Sequence, residues 1–126
     1  MKNWIKITAI ILAFFVSTPL FAQTPGFHDV KVAEFKKLAK AGKGSILDVR
    51  TPKEYAEGHI NGSINMNYFD KDFKNQVGKL DKAKPVYVYC HSGGRSSKAM
   101  NIMKNQGFKT IYNLTGGYAA WKNLHE

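Results

Sequence analysis

Cysteine is almost absent from this chain. Cys90 is the only one in 126 residues, so no intrachain disulfide can staple the fold. Arginine is nearly as scarce: of 19 basic residues only Arg50 and Arg95 are arginine, and the rest are lysine. No apolar run reaches the roughly 20 residues that a membrane-spanning helix needs. The longest, Ile7–Val16, is ten residues with Thr8 as its one polar member. There is no internal repeat and no low-complexity tract. The net charge of +10 comes from lysines scattered over every segment in runs of two at most. That distribution reads as a solvated surface and not as a nucleic-acid footprint, so no nucleic-acid partner is expected. His28 has no second ligand at metal spacing, and no metal is expected.

The amino-terminal stretch carries an address. Lys2 and Lys6 precede or open the apolar run, Ser17–Thr18–Pro19 breaks it, and Leu20–Phe21–Ala22 offers a small residue for cleavage. This is the three-part pattern of a secretory signal peptide, expected over residues 1–22, with a single domain over 23–126. The run is too short for a lasting membrane anchor, and no cysteine near the cleavage point could take a lipid. Export to a periplasm or to the exterior is therefore expected. Taking Lys2 and Lys6 from the 19 basic residues leaves 17 against nine acidic ones. A lone thiol kept in an oxidising compartment is either used or hidden.

What is present is organised around Val86–Tyr87–Val88–Tyr89–Cys90–His91–Ser92–Gly93–Gly94–Arg95–Ser96–Ser97. Pro85 and the β-branched and aromatic run after it read as a central strand buried on both faces. Cys90 falls where that strand ends, a glycine-bearing loop follows, and Ser96–Gln106 reads as a helix. Loop and first-turn N–H groups then point at one spot and form an anion cradle. A free cysteine at a strand end is often merely packed. The loop and helix weigh toward an activated, nucleophilic thiolate instead.

The remaining segments alternate between strand and helix. Phe27–Val30 reads as a first strand and Val32–Ala41 as a helix with apolar residues at helical spacing, closed by Gly42. Ser45–Arg50 reads as a strand bearing Asp48 and Arg50 at its end. Thr51–Pro52–Lys53–Glu54 is a capping box with proline at the first helical position. Ile60–Met66 holds a short strand after the Asn61–Gly62 turn. Phe69, Phe73 and Val77 lie four apart and predict one helix face. Thr110–Leu114 is the last strand, and Thr115–Gly116–Gly117 turns into a short helix with Trp121. The pattern predicts an α/β domain with a parallel sheet. Its ligand site should lie beyond the strand ends, where Cys90 and the Asp48–Arg50 pair fall. Asp48 reads equally as a carboxylate that holds its loop through backbone N–H groups, and His59 as a turn-fixing side chain. His91 could face substrate or solvent. Arginine at positions 50 and 95, in a chain of lysines, points to planar two-pronged recognition of an anion or carboxylate.

Leu47–Asp48–Val49–Arg50 with Glu54–Tyr55 and Gly58 to Asn65 resembles the amino-terminal signature of rhodanese domains. Cys90 to Ser96 resembles their active-site loop, and Leu114–Thr115–Gly116–Gly117 through Trp121 their carboxyl-terminal signature. The resemblance implies a five-stranded parallel sheet flanked by helices and an exported single-domain sulfurtransferase. It implies that Cys90 attacks a sulfane donor such as thiosulfate, holds the sulfur as a persulfide, and yields it to a thiophilic acceptor. The donor would be bound by the loop residues His91, Ser92, Gly93, Gly94 and Ser96 and oriented by Arg95. Asp48 and Arg50 would shape the pocket floor. No organic cofactor or metal is implied.

Two other readings stay open: a persulfide carrier or partner-docking module with slow turnover, and a phosphatase or arsenate reductase on the same fold. Cysteine phosphatases separate their cysteine and arginine by one residue more than the four, His91–Gly94, found here. The shorter loop makes a tighter cradle. The address is directly checkable: amino-terminal sequencing of the expressed protein should begin near Gln23, and Met1 retained on a membrane-bound product would contradict the export signal.

Overall fold

The run after Pro85 forms the middle strand of a five-stranded, all-parallel sheet in this computed structural model, which describes residues 24–42 and 44–124. The expected signal segment, 1–22, lies outside the described residues. In chain order the elements are β1 (Gly26–Val30), α1 (Val32–Ala41), β2 (Ser45–Asp48), α2 (Pro52–Glu57), β3 (Ile64–Asn65), α3 (Phe73–Gly78), β4 (Val86–Tyr89), α4 (Gly94–Asn105), β5 (Thr110–Leu114) and α5 (Gly117–Asn123). The strands lie in the order β1-β5-β4-β2-β3. The connection from β2 runs outward to β3 and then returns across β2 to β4. The direction of winding thus reverses between β2 and β4, whose carboxyl ends carry Asp48 and Tyr89 in register. Such a reversal opens a crevice where a ligand can sit.

All four residues of β4 are buried, and their alternation serves two cores. Val86, Val88 and Cys90 pack with Phe73, Val77, Ala99 and Met103 under α3 and α4. Tyr87 and Tyr89 pack on the opposite face with Phe35, Leu38 and Tyr112, beneath α1 and α5. A polar residue on either face of β4 would cost burial in one core or the other, which is why the strand is apolar throughout. The Tyr89 hydroxyl is satisfied at depth: it accepts the Ile60 N–H at 3.1 Å and lies 3.1 Å from Ser63 Oγ. Desolvation raises its pKa well above the ordinary tyrosine value. Among the described residues no helix is long and apolar enough to cross a membrane.

Local structure departs from the sequence reading in three places. Phe69 is not on a helix with Phe73 and Val77; it is 64% exposed and α3 begins only at Phe73. The cause is side-chain competition for backbone donors. Asn67 Oδ1 accepts the Phe69 N–H at 3.0 Å and Asp70 Oδ1 the Asp72 N–H at 2.8 Å, which hold this segment in turns. Helix α4 starts at Gly94, two residues before Ser96, because Gly93 in a left-handed conformation (φ +115°) turns the chain at once into the helix. Strand β2 ends at Asp48, where the Asp48 carboxylate takes the Arg50 N–H at 2.9 Å.

Candidate active site

Cys90 leaves β4 at the centre of the sheet and is 1% exposed. Its Sγ accepts the Gly93 N–H at 3.0 Å, and Ser96 Oγ lies 3.3 Å away. The Ser96 hydroxyl also lies 3.1 Å from Gly93 O. Its one proton can therefore serve the sulfur or the carbonyl. Backbone N–H groups of Ser92 and Ser96 also act on the sulfur. Burial on its own would raise the thiol pKa, but these donors outweigh it and hold the pKa below the ordinary cysteine value. The loop runs into α4, a helix of 12 residues whose positive end faces the same point.

The loop glycines differ in what they do. Gly93 needs its positive φ, where a side chain would be strained. Gly94 has open space where a side chain would begin. The carboxyl-terminal glycine pair sets a harder limit. A Cβ on Gly117 would stand 2.5 Å from Cys90 O and His91 O. Only glycine lets the amino end of α5 come this close, where Tyr118 N–H donates to Cys90 O at 2.8 Å and Ala119 N–H to His91 O at 3.1 Å. The Cys90 loop is thus fastened from behind by another helix.

Both arginines are held by carboxylates. Asp48, fully buried, accepts Arg50 Nε at 3.0–3.1 Å and Nη2 at 2.7 Å, and the same Nη2 donates to Gly58 O at 2.6 Å. The Arg50 guanidinium lies 4.4 Å from the centre of the Tyr118 ring. Arg95 makes a two-pronged pair with Glu54, at 2.7 and 3.0 Å, and sits 5.4 Å from the Phe69 ring centre. Glu54 is the capping-box residue of α2 as well, bonded to Thr51 through both backbone and hydroxyl. The Arg95 bond pulls the Glu54 carboxyl down to about 2. Arg95 is in turn attracted by the Cys90 sulfur.

Beside the loop opens a cleft of about 490 Å³, lined among others by Arg50, Glu54, His91, Tyr118 and Lys122. His91 and Ser92 are exposed, while Ser96 is fully buried behind the sulfur. His59 Nδ1 donates to Tyr55 O at 2.8 Å and its ring stacks on the Tyr55 ring, which fixes the turn after α2. The described residues contain no cluster of side chains suited to a metal. Sequence reasoning missed the Ser96 hydroxyl, Glu54 as partner of Arg95, and Tyr118 as the lid over Arg50. The Thr51–Glu54 box was readable as a helix start, but nothing local to it signals a partner 41 residues away.

Comparison with known proteins bears on the fold that carries this geometry. A family model described as Rhodanese-like domain matches residues 31–124. A protein named thiosulfate sulfurtransferase GlpE from Shewanella oneidensis is 30% identical over 95 residues, covering 75% of this chain and 92% of its own length. Thiosulfate sulfurtransferase 16, chloroplastic, from Arabidopsis thaliana is 39% identical over 85 residues, 60% of this chain and 71% of that one. Among solved structures, a rhodanese-related protein from Thermoplasma volcanium superposes with a TM-score of 0.69 at 26% identity, covering 78% of this chain and 93% of that one. The rhodanese-like domain of an Anabaena protein gives a TM-score of 0.67 at 31% identity, covering 77% of this chain and 74% of that one.

The donors around Sγ generate a prediction. Alkylation of Cys90 by iodoacetamide should have its midpoint below about 8.5, the free-thiol value. Ser96→Ala should shift that profile to higher pH and slow alkylation at neutral pH roughly 2- to 10-fold, the loss of one hydrogen bond of ordinary net strength. An unchanged profile in Ser96→Ala would show that the hydroxyl serves Gly93 O alone.

Proposed function

This chain belongs to the rhodanese-like domain family, and on that footing we propose that it moves a sulfane sulfur from thiosulfate or a related donor to a thiophilic acceptor through a persulfide on Cys90. The observation that carries the reading is the Gly93 N–H and the Ser96 hydroxyl converging on one buried sulfur at a helix amino end. Such a setting stabilises a thiolate without a histidine base.

In the first half-reaction the Cys90 thiolate attacks the outer sulfur of thiosulfate. A sulfur–sulfur bond forms to Sγ, the sulfur–sulfur bond of the donor breaks, and sulfite leaves with the electron pair. In the second, an acceptor such as cyanide attacks the outer sulfur of the persulfide; thiocyanate leaves and the Cys90 thiolate returns. Charge is conserved in both steps, and no metal, oxidant or organic cofactor is needed. The loop donors that hold the thiolate are suited to hold the persulfide anion, which places its charge about 2 Å further out. With its fork taken by Glu54, Arg95 acts on the donor mainly through charge and by bracing the loop against α2. Asp48 and Arg50, bound to each other, act as the wall of the cleft. Residues 1–22 are read as an export signal, which would put this chemistry outside the cytoplasm. The short Cys90–Arg95 spacing argues against the phosphatase reading, because donors misplaced by even an ångström lose most of their effect on a transition state.

Intact-mass measurement tests the reading. After incubation with thiosulfate the wild type should gain one sulfur atom and Cys90→Ser none, with thiosulfate:cyanide turnover lost in the folded variant. A wild type that gains no sulfur from thiosulfate, mercaptopyruvate or a persulfide, or that hydrolyses p-nitrophenyl phosphate faster than it moves sulfur, would contradict it.

A further inference from the structure

On the α1 and α5 side of the sheet lies a second groove, of about 690 Å³. Ile46, Ile60, Tyr118 and Trp121 give it an apolar floor, and Trp121 is braced edge-on by the Phe35 ring at 6.3 Å. Lys36, Lys40 and Lys122 also line it, and all three are exposed. Lys36 and Lys40 stand one turn apart and so share a face of α1. Among the described residues, none that lines the groove is acidic. Tyr118 and Lys122 line this groove and the cleft beside Cys90 alike, so the two depressions share a wall formed by α5.

Thiosulfate and cyanide are too small and too polar to use an apolar groove of this size. A concave apolar floor suits side chains entering it, whereas a bilayer surface calls for a projecting apolar face. A rim of three lysines attracts negative charge and steers it in. We propose that this groove docks a segment of a partner protein, rich in acidic and apolar residues, that carries the sulfur-accepting thiol. The inference rests on the sulfur-transfer reading above and names the acceptor for it. The acceptor thiolate attacks the outer sulfur of the Cys90 persulfide, a new sulfur–sulfur bond forms on the partner, and the Cys90 thiolate leaves. No oxidant or reductant is required.

The test compares two acceptors on the full expressed protein and on the double variant Lys36→Glu/Lys40→Glu, whose positions touch neither the Cys90 loop nor the cleft beside it. The probe is a short synthetic peptide with a single cysteine and interleaved leucines and glutamates; a control peptide carries lysine in place of each glutamate. Thiosulfate:cyanide turnover should be the same in both proteins. Sulfur transfer to the acidic peptide should have a kcat/KM about tenfold lower in the double variant, a loss that shrinks as salt rises. The lysine peptide should be the poorer acceptor for the wild type. Normal cyanide turnover with equal peptide transfer by the two proteins would overturn the docking site and leave the sulfur-transfer reading standing. So would no preference between the peptides, or wild-type protein that sediments with anionic phospholipid vesicles and ignores the acidic peptide. Absence of cyanide turnover from the wild type would instead overturn the sulfur-transfer reading, and the inference with it.

Discussion

A sulfur that is almost wholly buried can carry charge only if donors meet it, and the site is arranged around that demand. Cys90 is 1% exposed, and desolvation alone would keep its thiol protonated. The donors that reverse this come from a few consecutive residues and one hydroxyl. They converge only if the loop turns sharply, which requires the positive φ of Gly93. They stay in place because Tyr118 and Ala119 bind the loop carbonyls from behind, an approach that a Cβ on Gly117 would block. The Gly93 turn and two backbone hydrogen bonds thus hold the donors around one side chain.

The two arginines take on a different meaning in this light. Each is matched with a carboxylate, Arg50 with Asp48 and Arg95 with Glu54. Each also faces an aromatic ring, Tyr118 or Phe69. A planar guanidinium can satisfy a two-pronged carboxylate and lie over a ring at once, whereas a lysine ammonium cannot. That explains why arginine occurs only here in a chain that uses lysine elsewhere. The consequence is that backbone dipoles, more than side-chain cations, carry the positive potential at the sulfur. The Arg50–Asp48 pair, removed from solvent, serves to set the shape of the cleft wall more than to add stability.

The fold was largely legible because its main signals are local. The apolar run of β4, the periodicity of α1 and the capping box of α2 each report their structure within a few residues, and each appears as read. Phe69 misled because its spacing to Phe73 suits a helix, while the Asn67 and Asp70 side chains that divert the backbone leave no periodic trace. At the site, position could be read from the strand ends, but partnership could not. The pairing of Arg95 with Glu54 and the stacking of Tyr118 over Arg50 join segments far apart in sequence. The role of the Ser96 hydroxyl depends on the first turn of α4 starting at Gly94, earlier than composition suggests.

The central claim is that loop amides hold the Cys90 thiolate, and amide NMR tests it most directly. With the protein labelled in its backbone nitrogens, the N–H resonances of Ser92, Gly93 and Ser96 are followed across pH in the wild type and in Cys90→Ser. The account predicts that all three move downfield together as the thiol ionises, with a common midpoint below about 8.5, and that they are still in Cys90→Ser. Resonances that do not move in the wild type, or that share a midpoint at or above the free-thiol value, would contradict it.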